Sequence, residues 1–151
     1  MSVQKPRAKG YRYIEHTADV EFIARGKTAA ELVRNSLLAM FDTAAYIGRV
    51  GRSGGKQHTI RIDDVAPDLG TLIWYVLQDA LSVADAEQLF VYRVGRINVK
   101  REDSGLAVKA TLVGKAREPQ YSKLEVKGVS RYDMKVLKTA HGYSASVVLD
   151  V

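Results

Sequence analysis

The sequence predicts an α+β fold: a single-domain sandwich in which an antiparallel-rich mixed sheet carries two helices packed on one face. Three observations lead there. Two segments repeat apolar residues at three- and four-residue steps, and each therefore has one buried stripe. From Leu89 onward the pattern changes to two-residue alternation, the signature of strands. No internal repeat divides the chain, and 151 residues of which 46% are hydrophobic suffice to bury about two-thirds of the unfolded surface in one core. Residues 1–10 are expected to form a flexible basic N-terminus and 11–151 the domain.

Tyr11 to His16 reads as a short strand, and Val20 to Arg25 alternates as a second. After a turn at Gly26-Lys27, Thr28-Ala29-Ala30-Glu31 has the capping-box pattern, whose hydroxyl and carboxylate satisfy free N–H groups at a helix start. The helix runs from about Ala29 to Tyr46, with Leu32, Val33, Ser36, Leu37, Met40 and Phe41 on its buried stripe. Gly48 to Gln57 contains four glycines and no period, so an exposed loop is expected. His58 to Ile62 alternates as a strand. Asp64, Pro67 and Asp68 then suit the first turn of a second helix, which continues through Leu69, Leu72, Ile73, Val76, Leu77, Ala80 and Leu81.

The remainder reads as a β meander: Leu89 to Lys100, Leu106 to Ala116, Leu124 to Ser130, Met134 to Leu137 and Tyr143 to Val151. Asp103-Ser104-Gly105, Glu118-Pro119-Gln120 and His141-Gly142 mark the turns.

The absence of cysteine excludes disulfides, thiolate metal sites and thiol nucleophiles, so any metal must rest on oxygen or imidazole donors. No apolar run of 18 residues occurs, and the basic start lacks a secretory signal's apolar segment, which predicts a cytoplasmic protein. Lys and Arg exceed Asp and Glu by 23 to 17, a formal charge of +6 that favours RNA or an acidic protein surface. Part of that excess lies in Lys5, Arg7, Lys9 and Arg12 and in the glycine loop at Arg49, Arg52 and Lys56.

Two places concentrate oxygen donors. Glu15-His16-Thr17-Ala18-Asp19 packs polar residues into the turn between the first two strands, where Asp19 either ligates a hard cation or bonds turn N–H groups. At the other end, the apolar run Ser146 to Leu149 is followed by Asp150 and Val151, which place a side-chain carboxylate, a carbonyl and an α-carboxylate within two residues. Glu125 and Lys127 stand two apart on one strand face, as an ion pair or as functional groups. The three histidines, His16, His58 and His141, are scattered and show no triad pattern.

His16-Thr17-Ala18-Asp19 and the closing strand with Asp150-Val151 resemble the two ends of the archease family. Between them, the capped helix ending at Met40-Phe41 and the run Leu124-Glu125-Val126-Lys127-Gly128-Val129 followed by Met134-Lys135-Val136 are similar to further family segments in the same order. The chain departs from the family pattern at Trp74, at Gln78-Asp79 and at Arg131-Tyr132-Asp133.

The resemblance implies an archease-like fold and a non-catalytic activator of an RtcB-type RNA ligase in tRNA splicing, promoting guanylation of the ligase and multiple turnover. It also implies a divalent metal, calcium in the family, held by Asp19, Asp150 and Val151. His16, Glu125 and Lys127 would act in ligase activation, with a possible contact to tRNA. The alternative is a basic RNA-binding or chaperone-like module without a functional metal. The two differ in sensitivity: the first to chelators, the second to salt.

Overall fold

Two antiparallel sheets and three helices build the domain in a computed structural model that describes residues 10–14 and 19–151. Residues 1–9 of the expected N-terminal arm and His16 fall outside the described residues. The first sheet contains β1 (Tyr11–Ile14), β2 (Val20–Gly26), β6 (Gly128–Val129), β7 (Lys135–Thr139) and β8 (Gly142–Asp150), with β8 central. One edge of β8 pairs with β2, which in turn pairs with β1; the other edge pairs with β6 and with β7 at different points along its length. The second sheet has the order β3 (His58–Ala66), β5 (Gly105–Ala116), β4 (Leu89–Glu102).

Helices α1 (Ala29–Ala44) and α3 (Leu69–Glu87) pack against strands of both sheets: α1 on β2, β8 and β4, and α3 on β3, β5 and β6. One core results. Phe22, Val147 and Leu149 from the first sheet and Val108 and Leu112 from the second are fully buried together with Leu37, Met40, Ile73 and Leu77 of the helices. The α+β sandwich with both long helices in contact with sheet is therefore the observed fold, and every pairing in it is antiparallel.

The caps are those the side chains dictate. Thr28 Oγ1 accepts from Glu31 N at 3.1 Å, and Asp68 Oδ1 accepts from Thr71 N at 2.8 Å. That N-H donation holds the Asp68 carboxyl below its ordinary range. The α3 C-terminus closes on Gln88 in the left-handed region at φ 56°, whose N–H reaches Ala84 O and Asp85 O. Gly105 and Gly142 supply the positive φ of the β4–β5 and β7–β8 turns, where a side chain would also meet backbone.

Four expectations are corrected. The C-terminal half is no single meander: β4 and β5 join β3, whereas β6, β7 and β8 join β2. The stretch Leu124 to Ser130 is a strand only at Gly128–Val129, because its start is diverted to the open end of α1. Lys123 N and Leu124 N donate to Ala44 O and Thr43 O, and Lys123 Nζ donates to Asp42 O at 2.8 Å, satisfying carbonyls that a helix terminus leaves free. Finally, the glycine loop begins with a short helix α2 (Ile47–Arg52), and Asp64 belongs to β3 and not to the second helix. Lys115, buried on β5, fixes the α2 segment by donating from Nζ to Ser53 O at 2.7 Å and Gly51 O at 3.2 Å.

Candidate metal cleft

Pairing of β2 with β8 sets the geometry of the site. Val20 lies opposite Leu149, so Asp19, one residue before β2, and Asp150, the last residue of β8, arrive at the same end of the sheet. They line one open cleft of about 350 Å³ together with Gly128, Val129, Ser130, Asp133 and Val148. Residues separated by most of the chain thus share a wall because the first and last long strands of the domain are neighbours.

The opposite wall is β6, held from two sides. On the sheet side, Gly128 pairs with Asp150, Lys127 N donates to Asp150 O at 2.7 Å, and Ser130 N donates to Val148 O at 2.9 Å. On the helix side, Trp74 Nε1 donates to Val129 O at 2.9 Å and Gln78 Oε1 accepts from Val129 N at 3.1 Å. Trp74 and Gln78 are four residues apart on α3, the spacing that places two side chains on one helix face. Both backbone groups of Val129 are satisfied by this clamp, which explains how so short a strand keeps its position. At the rim, Ser130 Oγ donates to Asp133 Oδ2 at 2.8 Å.

Asp19 is half-buried and Asp150 exposed, and neither forms an ion pair with a described residue. Two unpaired carboxylates beside strand-end carbonyls form an all-oxygen donor set, which suits a hard divalent cation. Among the described residues no three Asp, Glu or His side chains lie close enough to hold a metal by themselves, so backbone oxygens would have to complete the shell. Val151 follows Asp150 directly, and its side chain packs against the core.

Glu125 and Lys127 are both exposed and flank buried Val126, as their two-residue spacing predicts. They belong to different places, however. Glu125 lines a separate depression with Asp85, Arg117 and Phe90 near the end of α3, whereas Lys127 reaches the cleft through its backbone bond to Asp150. Trp74, Gln78, Ser130 and Asp133 were not singled out as site residues from sequence. The available signal was the Trp74–Gln78 spacing, since polar tips on the flank of an apolar helix stripe seek partners.

A second carboxyl pair lies elsewhere, between β3 and α3. Burial, then hydrogen bonding with Asp79 and repulsion from Asp79 and Asp63, push the Asp64 carboxyl up to about 7. Asp64 Oδ2 is buried and has no hydrogen-bond partner among the described residues, a setting that disfavours the charged carboxylate.

Comparison with known proteins agrees with this architecture. The sequence profile of the archease protein family (MTH1598/TM1083) matches residues 11–151. The chain belongs to the archease family. Archease relatives resemble it along their whole length: the protein archease of Methanosarcina acetivorans is 29% identical over 147 residues, covering 96% of this chain and 98% of its own. That of Pyrobaculum calidifontis is 30% identical over 154 residues and covers both chains completely. Among solved structures, protein 1598 of Methanobacterium thermoautotrophicum superposes with a TM-score of 0.78 at 25% identity, covering 94% of this chain and 99% of its own. An archease of Thermotoga maritima, described as a possible chaperone, has the same fold, with a TM-score of 0.62 at 17% identity over 100% of this chain and 99% of its own. No helix among the described residues of this archease is long and apolar enough to cross a membrane.

Proposed function

We propose that this archease-family chain is a non-catalytic activator of an RtcB-type RNA ligase in tRNA splicing, and that the Asp19–Asp150 cleft holds a divalent cation, calcium by resemblance, on which activation depends. The observation that supports this reading most is the β2–β8 register, which puts the two unpaired carboxylates into one polar cleft. Their side chains, with Val151 and nearby backbone oxygens, are the proposed ligands. A bound dication would supply positive charge that ties together two strand ends and offers a coordination position to a partner's oxygen. The chain's own part is positional. The Trp74–Gln78 clamp on Val129 and the Lys127 bond to Asp150 O keep β6 and β8 fixed, so the cleft presents a preformed surface to the ligase.

In this reading His16, Glu125 and Lys127 contribute contacts to the ligase and carry out no chemistry of their own. Activation acts on guanylation of the ligase, and the accessory role agrees with the description of the Thermotoga protein as a possible chaperone. The test is direct. The chain in substoichiometric amount, added to the cognate ligase with GTP and manganese, is expected to raise the rate of ligase–GMP formation, and Asp19→Ala or Asp150→Ala to abolish the increase without loss of fold. An unchanged rate with the unmodified chain refutes the assignment.

A further inference from the structure

The outer face of the second sheet, turned away from α1 and α3, is only partly covered. At one end α2 lies on it, where Val50 and Ala45 pack with Phe90 and Lys115 holds the Gly51 and Ser53 carbonyls. Beyond α2 no described residue covers the face, and it is cationic. Arg61 of β3 stands opposite Thr111 of β5; Lys109 of β5 stands between Asp63 and Asn98; on β4, Arg93 lies opposite Val113 and Lys100 opposite Ala107. Arg96 occupies the bulge between Val94 and Ile97. All five cations are exposed, whereas the alternating residues Ile60, Ile62, Val94, Val108, Ala110 and Leu112 are buried in the core. None of the five forms an ion pair among the described residues, and they outnumber the two carboxylates of this face, Asp63 and, at its far end beside Lys100, Glu102.

We propose that this face binds the phosphodiester backbone of double-helical RNA. Alternate residues along a strand stand about 6.6 Å apart and neighbouring strands about 4.8 Å, so the cations form a two-dimensional grid and not a point site. A grid of unpaired cations on a broad sheet matches the wide, shallow minor groove of A-form RNA and the phosphates that border it. Three features argue against other occupants. Unpaired bases require free aromatic platforms, but the Tyr92 ring at the edge of this face is already taken: Lys115 Nζ lies 5.0 Å from its centroid and Gln57 donates to its hydroxyl. A protein partner would seek an apolar anchor, yet Val65, 45% exposed, is the one large apolar side chain presented in these rows. Duplex DNA offers in place of that shallow groove a minor groove about 6 Å wide and deeper than it is wide, across which a flat three-stranded face cannot settle.

This proposal is independent of the ligase and of the metal cleft, and its test uses neither. Fluorescence anisotropy with the full chain would compare a labelled RNA duplex with the DNA duplex of the same sequence, single-stranded RNA and polyglutamate across a salt series. The RNA duplex is expected to bind most tightly, with log affinity falling against log salt at a slope of about −4. Arg93→Glu with Lys109→Glu is expected to weaken duplex binding tenfold or more and to reduce the slope by about 2. The neutral pair Arg93→Gln with Lys109→Gln gives a smaller change of the same sign and guards against a folding defect in the reversal. Charge reversal at exposed Lys27 and Lys135, remote from this face, is the control for net charge. Equal loss in the control pair, equal binding of polyglutamate, DNA or single strands, or no binding at all would each overturn the proposal.

Discussion

The two sheets share a core but end in opposite chemistry. The first brings Asp19 and Asp150 together at one strand end, where they face an open cleft; the second spreads Arg61, Arg93, Arg96, Lys100 and Lys109 over a face that no other described element covers beyond α2. Because α1 and α3 touch both sheets, the packing that stabilises one also positions the other. The difference teaches that net charge says little here. The formal charge of +6 belongs to the whole chain and hides the separation of an acidic cleft from a basic plane, each of which would meet a different class of partner.

The largest expected effect tests whether the sheets are one cooperative unit. Leu149→Ala in the first sheet and Leu112→Ala in the second each remove a fully buried side chain and are expected to cost about 2–5 kcal/mol. Urea unfolding followed by tryptophan fluorescence and by far-UV circular dichroism should give coincident transitions for both variants. Separated transitions would show that the sheets unfold independently.

Next in size is the response to calcium. If the cleft binds the ion, calcium at 100 times its dissociation constant stabilises the native chain by about 2.7 kcal/mol. Calorimetric melting with and without the ion should show that gain in the unmodified protein and in Arg93→Gln with Lys109→Gln, and no gain in Asp150→Ala.

A smaller effect sharpens the contrast between the open carboxylates and the enclosed pair. Asp64 holds its proton in the folded state up to about pH 7, whereas the unfolded carboxyl releases it near the ordinary aspartate value. The folded state therefore binds more protons between those limits, and stability should fall as pH rises through that window and level off above it. The change is on the order of 1 kcal/mol, because the site is partly exposed and solvent screens the repulsion. Denaturant midpoints measured from pH 4 to 8 should show this decline, and Asp64→Asn should flatten it.

The cap at Asp68 has the opposite sign. Its lowered pKa contributes stability above the ordinary carboxyl range that is lost as pH falls below it. Asp68→Ala should cost about 1 kcal/mol at neutral pH and correspondingly less in acid.

Much of this molecule was legible before its structure. The stripes of both long helices, the cap at Thr28, the start of α3 near Asp68 and the turns at Gly105 and Gly142 depend on residues within a few positions of one another. Local spacing is where sequence patterns carry information. Asp19 and Asp150 could be named as a pair through the family resemblance, and the β2–β8 register places both on the lining of one cleft. Other features were not legible. The run Leu124 to Ser130 alternates like a strand, but its outcome depended on whether its N–H groups met a neighbouring strand or the open carbonyls of α1. The clamp of Trp74 and Gln78 on Val129 likewise joins residues more than 50 positions apart.

The sequence by itself determined which segments are amphipathic, where helices begin, and that any metal site must be built from oxygen or imidazole donors. Tertiary structure alone decided how the strands divide between two sheets, and hence that the carboxylates cluster while the arginines and lysines spread over a separate plane. The physical reason is that strand alternation tells each residue which face it occupies, whereas only the hydrogen-bonding partner of that strand tells it which neighbours it will have.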